Sequence, residues 1–285
     1  VARRASAPAS SANLGPGFDV LGLALGLRVV VEARPAPACS IAASGEGGDL
    51  PAGADHLAAR VARAVLGHDR VAFVIHSEIP VARGLGSSAA LAVATAAALG
   101  AVAPLEVAAR LEGHPDNAAA ATFGGLVAAT TVDDRVVAAP LPLDAELAAV
   151  VLVPDAPLET ARARAVLPTA LAREEVVAQL GRLGLLLAGL ADRHRLRPEA
   201  GRDWLHQPAR STLFPAAPRL IEALVDAGAA VATWSGAGSS ILGLTTRSAL
   251  GDLRAAGAAA LAREGVPGRA LALDIDRRGL EVVAL

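Results

Sequence analysis

Pro80-Val-Ala-Arg-Gly-Leu-Gly-Ser-Ser-Ala-Ala90 is the stretch that decides the fold. It follows a strand-like run, Arg70-Val-Ala-Phe-Val-Ile-His-Ser-Glu-Ile79, and opens an alanine-rich helix that runs toward Leu99. Gly84 and Gly86 admit backbone conformations closed to other residues, so successive N–H groups can turn toward an anion. Ser87 and Ser88 then stand at the helix start, where free N–H groups and the positive end of the helix dipole converge and two hydroxyls are at hand. This is the build of a phosphate-holding loop. It is not a Walker loop, which needs a lysine after its second glycine, because all 26 basic residues of the chain are arginine. The same absence removes the strand lysine of protein kinases and any Schiff-base lysine. A capped strand-to-helix junction holding no ligand would use the same residues, so the reading depends on what lies around it.

The 285 residues suit two domains or one large one, with ample core. A net charge of -2, dispersed arginines and only 2% aromatic residues argue against a nucleic-acid surface, which needs basic clusters and stacking rings. The single Cys39 forbids an internal disulfide or a cysteine zinc site and fits a reducing cytoplasm. The opening Val-Ala-Arg-Arg-Ala-Ser lacks the apolar core of a signal peptide, so a cytoplasmic location is expected. The uncharged stretch from Gly84 to Leu105 reads as a buried helix rather than a membrane span, since it is mostly alanine and glycine and begins inside the loop.

Outward from the loop, residues 3–9 and Val29 to Ala33 read as strands, with a glycine-rich loop over Ser10 to Asp19 between them. Asp55 to Leu66 and Leu105 to Glu112 read as helices, and Gly124 to Val132 with Val136 to Ala139 as a hairpin around Asp133-Asp134. The second half alternates: a strand at Ala148 to Val153, helices at Leu171 to His194 and Pro218 to Ala227, and strands at Ala229 to Trp234 and Ile241 to Thr245. A helix from Arg247 to Glu264 and a strand from Arg269 to Asp276 follow. Two α+β domains, 1–147 and 148–285, are expected.

Asparagine occurs only at Asn13 and Asn117, so each position that keeps one needs its paired donor and acceptor. Asn13 stands with Asp19 in the loop Ser11-Ala-Asn-Leu-Gly-Pro-Gly-Phe-Asp19. Asn117 closes a second polar knot, Glu112-Gly-His-Pro-Asp-Asn117. Glu112 is a candidate ligand for Mg²⁺, which takes one or two protein groups plus phosphate oxygens and water. Each has an ordinary alternative: Asn13 and Asp19 as turn residues, Glu112 as a helix-terminal surface carboxylate, and His114 as a structural hydrogen-bonder rather than a catalyst.

Taken together, the three segments resemble the GHMP kinase superfamily, and within it the homoserine kinase family. Thr160-Ala-Arg-Ala-Arg-Ala-Val-Leu-Pro168, Gln207-Pro-Ala-Arg210 and the glycine turn Ser235 to Ser239 extend the likeness in family order along nearly the whole chain. The resemblance implies an α+β fold of two domains, the first like the second domain of ribosomal protein S5 and the second ferredoxin-like, with the site between them. It implies that Pro80, Arg83, Gly84, Leu85, Gly86, Ser87, Ser88 and Ala89 cradle the ATP phosphates. By the same likeness Glu112, Ser87 and Ser88 hold Mg²⁺, with Glu106 as the alternative carboxylate. Asn13, Asp19, Asn117, Thr160, Arg164, Arg210 and Gly236 would meet the amino acid, with Asn117, Arg164 and Ser88 at the reaction itself. Arginine suits a carboxylate because its fork donates two parallel bonds, while Arg162 and Arg164 could also be one solvated helix face. The late turn reads Gly236-Ala-Gly-Ser239 where the family has Gly-Ser-Gly-Pro, so beyond Gly236 the resemblance does not carry its exact contacts, and those to adenine are unassigned.

The expected activity is transfer of the γ-phosphate of ATP to L-homoserine, a step of threonine biosynthesis, by a protein with no nucleic-acid or membrane partner, with a homodimer as the expected assembly. Another GHMP kinase for a different small alcohol, or a non-catalytic sensor on the same fold, are the alternatives. Related sugar and mevalonate kinases resemble this region but carry an aspartate base where Asn117 stands. An amide cannot take a proton as a base does, so the reaction is expected to rest on positioning and charge neutralisation.

Overall fold

Residues 3–13 alternate small apolar side chains inward, and the long apolar run that follows the next turn is their partner. In the computed structural model, which describes residues 2–285, these segments are strands β1 (Arg3–Asn13) and β2 (Gly17–Pro35), antiparallel along nearly their whole length. Then come β3 (Ser40–Gly45), α1 (Leu57–Leu66), β4 (Val71–Ser77), α2 (Ser87–Ala98), α3 (Pro104–Glu112), α4 (Asp116–Phe123), β5 (Leu126–Val132) and β6 (Arg135–Leu141). The first sheet runs β1-β2-β4-β3, with the β5-β6 hairpin attached to the near end of β2; β3 and β4 are its parallel pair.

The second half supplies β7 (Leu147–Pro154), α5 (Thr160–Ala165), α6 (Arg173–Ala191), α7 (Gln207–Arg210), α8 (Ala217–Asp226), β8 (Val231–Trp234), β9 (Ile241–Thr246), α9 (Leu250–Arg263), β10 (Gly268–Leu273) and β11 (Glu281–Ala284). Its antiparallel sheet has the order β10-β7-β9-β8, with α8 and α9 packed on one face. Strand-helix-strand, strand-helix-strand in that order is the ferredoxin-like pattern, as expected. The division of the chain at 147/148 meets one complication. The last strand, β11, leaves the second sheet and pairs with β1 of the first, from Arg3 opposite Ala284 to Ser6 opposite Glu281. Arg28 ties that return down, donating to Asp276 and to the carbonyls of Ser6 and Gly279.

Helix α2 sits at the centre. Nine of its residues are buried, seven of them alanines and the other two Val93 and Thr95. A helix apolar on every side is one enclosed by protein, and alanine lets the strands β1 and β2 and the helices α1, α3 and α4 approach it closely. The helix axis is thereby fixed against both sheet and helices. Its N-terminus, which carries Ser87 and Ser88, is held at the edge of the space between the two domains.

Helix α4 was not expected, and the helix expected over Leu171 to His194 is shorter. The chain from Asp116 was read as a knot leading into a strand, yet it forms two turns of α4, because Ala118 to Ala121 bury completely against β1 and β2. Helix α6 ends at Ala191, three residues short of the expected His194, where the Asp192 side chain caps a short 3₁₀ turn over 193–195.

Candidate active site

A cleft of about 520 Å³ lies between the two sheets and takes lining from both. Every expected site residue except Ala89 and Glu106 lines it. Ala89 is buried behind the loop and can offer only its backbone N–H. Glu106 is in the first turn of α3 while Glu112 is at its end, about 9 Å apart along the axis at 1.5 Å per residue. Of the two carboxylates, only Glu112 reaches the cleft.

The loop before α2 is strained toward one purpose. Gly84 and Gly86 take φ of +71° and +64°. A Cβ on Gly84 would lie 2.1 Å from the Ser235 carbonyl oxygen, and one on Gly86 would lie 2.1 Å from Ser10 Oγ. No backbone N–H from Gly84 to Ala89 has an acceptor among the described residues, whereas the carbonyls of the loop are taken. Ser10 N donates to the Leu85 oxygen at 3.0 Å, Ser235 Oγ to the Gly84 oxygen at 2.7 Å and Leu158 N to the Ala82 oxygen at 3.1 Å. Six adjacent free donors at a helix N-terminus, on a backbone pinned by its carbonyls, have the geometry that suits an anion.

Arg83 lines the cleft beside that site and is held by three carbonyls. Its Nε donates to the Pro154 carbonyl at 2.8 Å, its Nη1 to Val81 at 2.9 Å, and its Nη2 to Asp155. The guanidinium is spent on fastening the loop to the end of β7. Pro80 lines the cleft on the same side, and Leu85 is an anchor whose side chain is buried.

Glu112 accepts a hydrogen bond from Ser88 Oγ at the mouth of the loop. Among the described residues no group of three or more His, Cys, Asp or Glu side chains could hold a metal unaided. One carboxylate and one hydroxyl beside free N–H groups fit Mg²⁺, whose remaining positions go to phosphate oxygens and water.

The other end of the cleft is a charge cluster. Arg164 at the end of α5 grips Asp19 with both arms, Nη2 to Oδ1 at 2.6 Å and Nη1 to Oδ2 at 2.9 Å. The Asp19 bond is the main reason the Arg164 guanidinium is held above its ordinary pKa. Arg210 is buried; desolvation first, then Arg164, pushes its pKa down to about 10, so it remains a cation. Phe18, which the sequence reading did not single out, offers its ring to both: Cζ of Arg164 is 5.6 Å and Cζ of Arg210 is 5.4 Å from the centroid. Thr160 opens α5 on the same wall.

Asn13 is a brace more than a contact. Its Nδ2 donates to the Gly236 carbonyl at 2.7 Å and its Oδ1 accepts from Asp19 N at 3.0 Å, so the amide ties the late turn to the acidic loop. The Gly236 carbonyl, which also receives Arg210 Nη1 at 2.8 Å, is therefore occupied. Asn117, in the first turn of α4, stands between the two ends. It accepts from Ser10 Oγ at 2.9 Å and donates through Nδ2 to Asp116 at 3.3 Å, while its N–H meets the same Asp116 oxygen at 2.7 Å. His114 Nδ1 bonds Asp116 at 2.9 Å, and that bond raises its pKa.

The sequence reading also left the far wall unassigned. There Ala43, Leu50, Ile75 and Leu57 make an apolar slot beside His56, which caps α1 through Nδ1. Burial keeps the His56 pKa down. Ser10 and Phe18 lay inside the quoted loop, and their only signal was that position.

Comparison with known proteins agrees with the cleft. Residues 54–125 match the GHMP kinases N terminal domain and 172–263 the GHMP kinases C terminal domain. The chain is similar to a homoserine kinase of Moorella thermoacetica, 41% identical over 275 residues that cover 91% of this chain and 92% of that one. One from Solibacter usitatus is 42% identical over 82% of each. Among solved structures, a homoserine kinase of Cytophaga hutchinsonii aligns with a TM-score of 0.85 at 29% identity, covering 99% of this chain and 97% of that one.

Proposed function

We infer the chemistry from one premise: the chain belongs to the homoserine kinase family, within the GHMP kinases. It is an ATP-dependent kinase acting on an alcohol. The alcohol is L-homoserine and the product O-phospho-L-homoserine, which places the reaction in threonine biosynthesis. The observation that carries this reading is a single cleft with six acceptor-free N–H groups at one end and one carboxylate with two guanidiniums at the other. The first end complements a polyphosphate and the second an amino acid zwitterion.

Gly84 to Ala89 hold the transferring phosphates through backbone N–H groups, and Glu112 with Ser88 and Ser87 would hold Mg²⁺. Bound there, the ion neutralises charge on the phosphoryl oxygens. Asp19 meets the substrate ammonium, and Arg164 and Arg210 meet its carboxylate, with Thr160 beside them. Asn117 then stands next to Gly86, at the loop, where the hydroxyl must arrive. It aims that hydroxyl and accepts no proton, so the proton leaves late to a phosphate oxygen or water. A general base contributes typically about 10²–10⁴-fold, and a loose phosphoryl transition state relies more on the positioning and charge these residues supply. The apolar slot around Leu50 and Ile75 takes the adenine. No described helix is long and apolar enough to cross a membrane, and we place the enzyme in the cytoplasm, with two domains dividing near 147/148 apart from the returning β11.

The test is ADP release by the purified protein with MgATP against L-homoserine, L-threonine, mevalonate, galactose and shikimate in parallel. Turnover with homoserine alone is the expected result. Turnover with only another alcohol would keep the phosphate end and overturn the substrate assignments. Tight ligand binding with no turnover across the panel would replace the kinase by a sensor.

A further inference from the structure

We propose that His206 is a positioning residue for Arg210: as a neutral imidazole it fixes the guanidinium so that one edge is left for the substrate carboxylate. The inference rests on the carboxylate role given to Arg210 above and adds what gives that arginine its direction.

His206 precedes α7 by one residue and is fully buried, one helical turn before Arg210. Its Nε2 is 3.0 Å from the Gly15 carbonyl oxygen in the turn between β1 and β2, and its Nδ1 is 3.1 Å from Arg210 Nη1. Both partners have fixed character, since a carbonyl oxygen only accepts and a guanidinium only donates. The proton must therefore be on Nε2 and the lone pair on Nδ1. A second proton would set N–H against N–H. Burial, and the charge of Arg210, hold the pKa of His206 down to about 4.

The groups around the ring are few. Asp203 is spent on the backbone: its Oδ1 accepts from the N–H groups of Leu205 at 2.8 Å and His206 at 2.6 Å, and its Oδ2 is 3.6 Å from Nε2, too far for a hydrogen bond. Phe18 covers the ring at 5.3 Å between centroids, and Asp19 faces it across the cluster.

Arg210 carries five N–H donors. One, on Nε, goes to the Ala163 carbonyl at 3.3 Å. The two on Nη1 go to the Gly236 carbonyl and to His206 Nδ1. The two on Nη2 have no acceptor among the described residues, and this residue lines the cleft. Without the His206 acceptor, one Nη1 hydrogen would be buried and unpaired, and a tilt of the guanidinium to recover a partner would carry the Nη2 edge away from the substrate.

The experiment separates the two bonds of the ring. His206→Asn places an amide oxygen where Nδ1 stands and keeps the acceptor for Arg210 while losing the reach to Gly15. His206→Gln keeps an N–H toward Gly15 and removes the acceptor. A hydrogen bond to a charged group is worth enough to predict a rise of about tenfold or more in the homoserine KM of His206→Gln, with its ATP KM within about twofold of the parent. His206→Asn is expected to stay within about threefold for both. The preference for homoserine over its carboxamide should fall in His206→Gln and persist in His206→Asn. Equal losses in the two variants, or an ATP KM that rises with that for homoserine, overturn the proposal and leave His206 a packing residue. A tenfold loss in His206→Asn alone overturns it even where His206→Gln does not fold. Arg210→Leu guards the underlying reading. If Arg210→Leu leaves the homoserine KM unchanged, the carboxylate role fails and the proposal with it. If Arg210→Leu raises that KM and His206→Gln does not, the carboxylate role stands and the positioning role falls.

Discussion

Gly84→Ala puts the phosphate loop to its sharpest test. The new Cβ would lie 2.1 Å from the Ser235 carbonyl oxygen and within 2.8–2.9 Å of the Gly238 N and O, all backbone atoms with no rotamer to escape into. Its φ of +71° adds a left-handed penalty of about 1–2 kcal/mol. Overpacking adds about 1–3 kcal/mol, so the sum is about 2–5 kcal/mol. At about 2–4 °C per kcal/mol in a chain of this class, the melting temperature should fall by roughly 4–20 °C. Gly67→Ala is the control, because Gly67 has φ of +76° and nothing within 4 Å of its would-be Cβ, so it reports the backbone term alone. To admit the new Cβ, the loop and the late turn of the variant must part, and a 1 Å displacement of reacting groups can cost about 100-fold. The assay is kcat/KM for ATP alongside thermal melts of both variants. Gly86→Ala should differ in kind: its Cβ meets the Ser10 hydroxyl, so adding Ser10→Ala should return part of the loss, with no such rescue for Gly84→Ala. A Gly84→Ala enzyme with kcat/KM near the parent and a melt matching Gly67→Ala would refute the reasoning.

Phe18→Leu removes the ring shared by Arg164 and Arg210; at about 0.5–1 kcal/mol for each of the two cation–π contacts, the homoserine KM should rise roughly five- to thirtyfold, with the ATP KM unmoved. Glu112→Gln should raise the Mg²⁺ concentration for half-maximal rate, while Glu106→Gln, outside the cleft, should not; a titration in MgCl₂ distinguishes them. Asn117→Asp would set a second carboxylate beside Asp116, so turnover should fall, and a large rise with a new acidic limb in the pH profile would show a base to be missing. The pH dependence of stability has a defined sign. His206 has a folded pKa of about 4 against 6.5 when exposed, so the unfolded chain binds the extra proton between these values. Its stabilisation is full above pH 6.5 and is lost as the pH falls toward 4. His114, raised by Asp116, runs the other way: its contribution is full below 6.5 and is lost as pH rises through its folded value. The stability gap between the parent and His206→Asn should therefore narrow as the pH is lowered from about 7 to about 5, measured by denaturant melts, and a constant gap would contradict the buried neutral ring.

What was legible in the sequence was local. The glycines and serines of 80–90 announce a turn with free N–H groups whatever the rest of the chain does, and the strand-helix alternation after Leu147 gives the ferredoxin-like order. Helix α4 was missed because its signal is weak: Pro115 and four consecutive alanines have no amphipathic period, and only burial against β1 and β2 decides for helix. Arg83 and Asn13 line the cleft, and the partners that hold them were not legible, for a related reason. Their residue types suit phosphate and amino acid, but their partners are backbone atoms 71 and 223 positions away, at Pro154 and Gly236. The choice between Glu106 and Glu112 likewise needed the direction of α3. His206 left a trace, the i and i+4 spacing to Arg210, which on a helix sets two side chains side by side.

The cluster of Asp19, Arg164 and Arg210 bears on how the cleft selects. Asp19 is already paired with Arg164, with about a third of each side chain exposed, so a substrate does not add its charges to vacant partners; it enters an existing pair. A zwitterion can do this at little net loss, because its ammonium replaces the guanidinium at Asp19 while its carboxylate receives the guanidinium so released, and Arg210 gains an anion in place of a neighbouring cation. An alcohol with a carboxylate and no ammonium must draw Arg164 from Asp19 and leave that carboxylate without a partner. An alcohol with an ammonium and no carboxylate leaves two guanidiniums facing each other across Phe18. In both cases the penalty falls on a group already in the protein, and losing one partner of a hydrogen-bonded charge pair costs more than the intact pair is worth. On the substrate roles proposed above, selection for an amino acid over a carboxylate-only alcohol such as mevalonate comes from the Asp19–Arg164 pair itself.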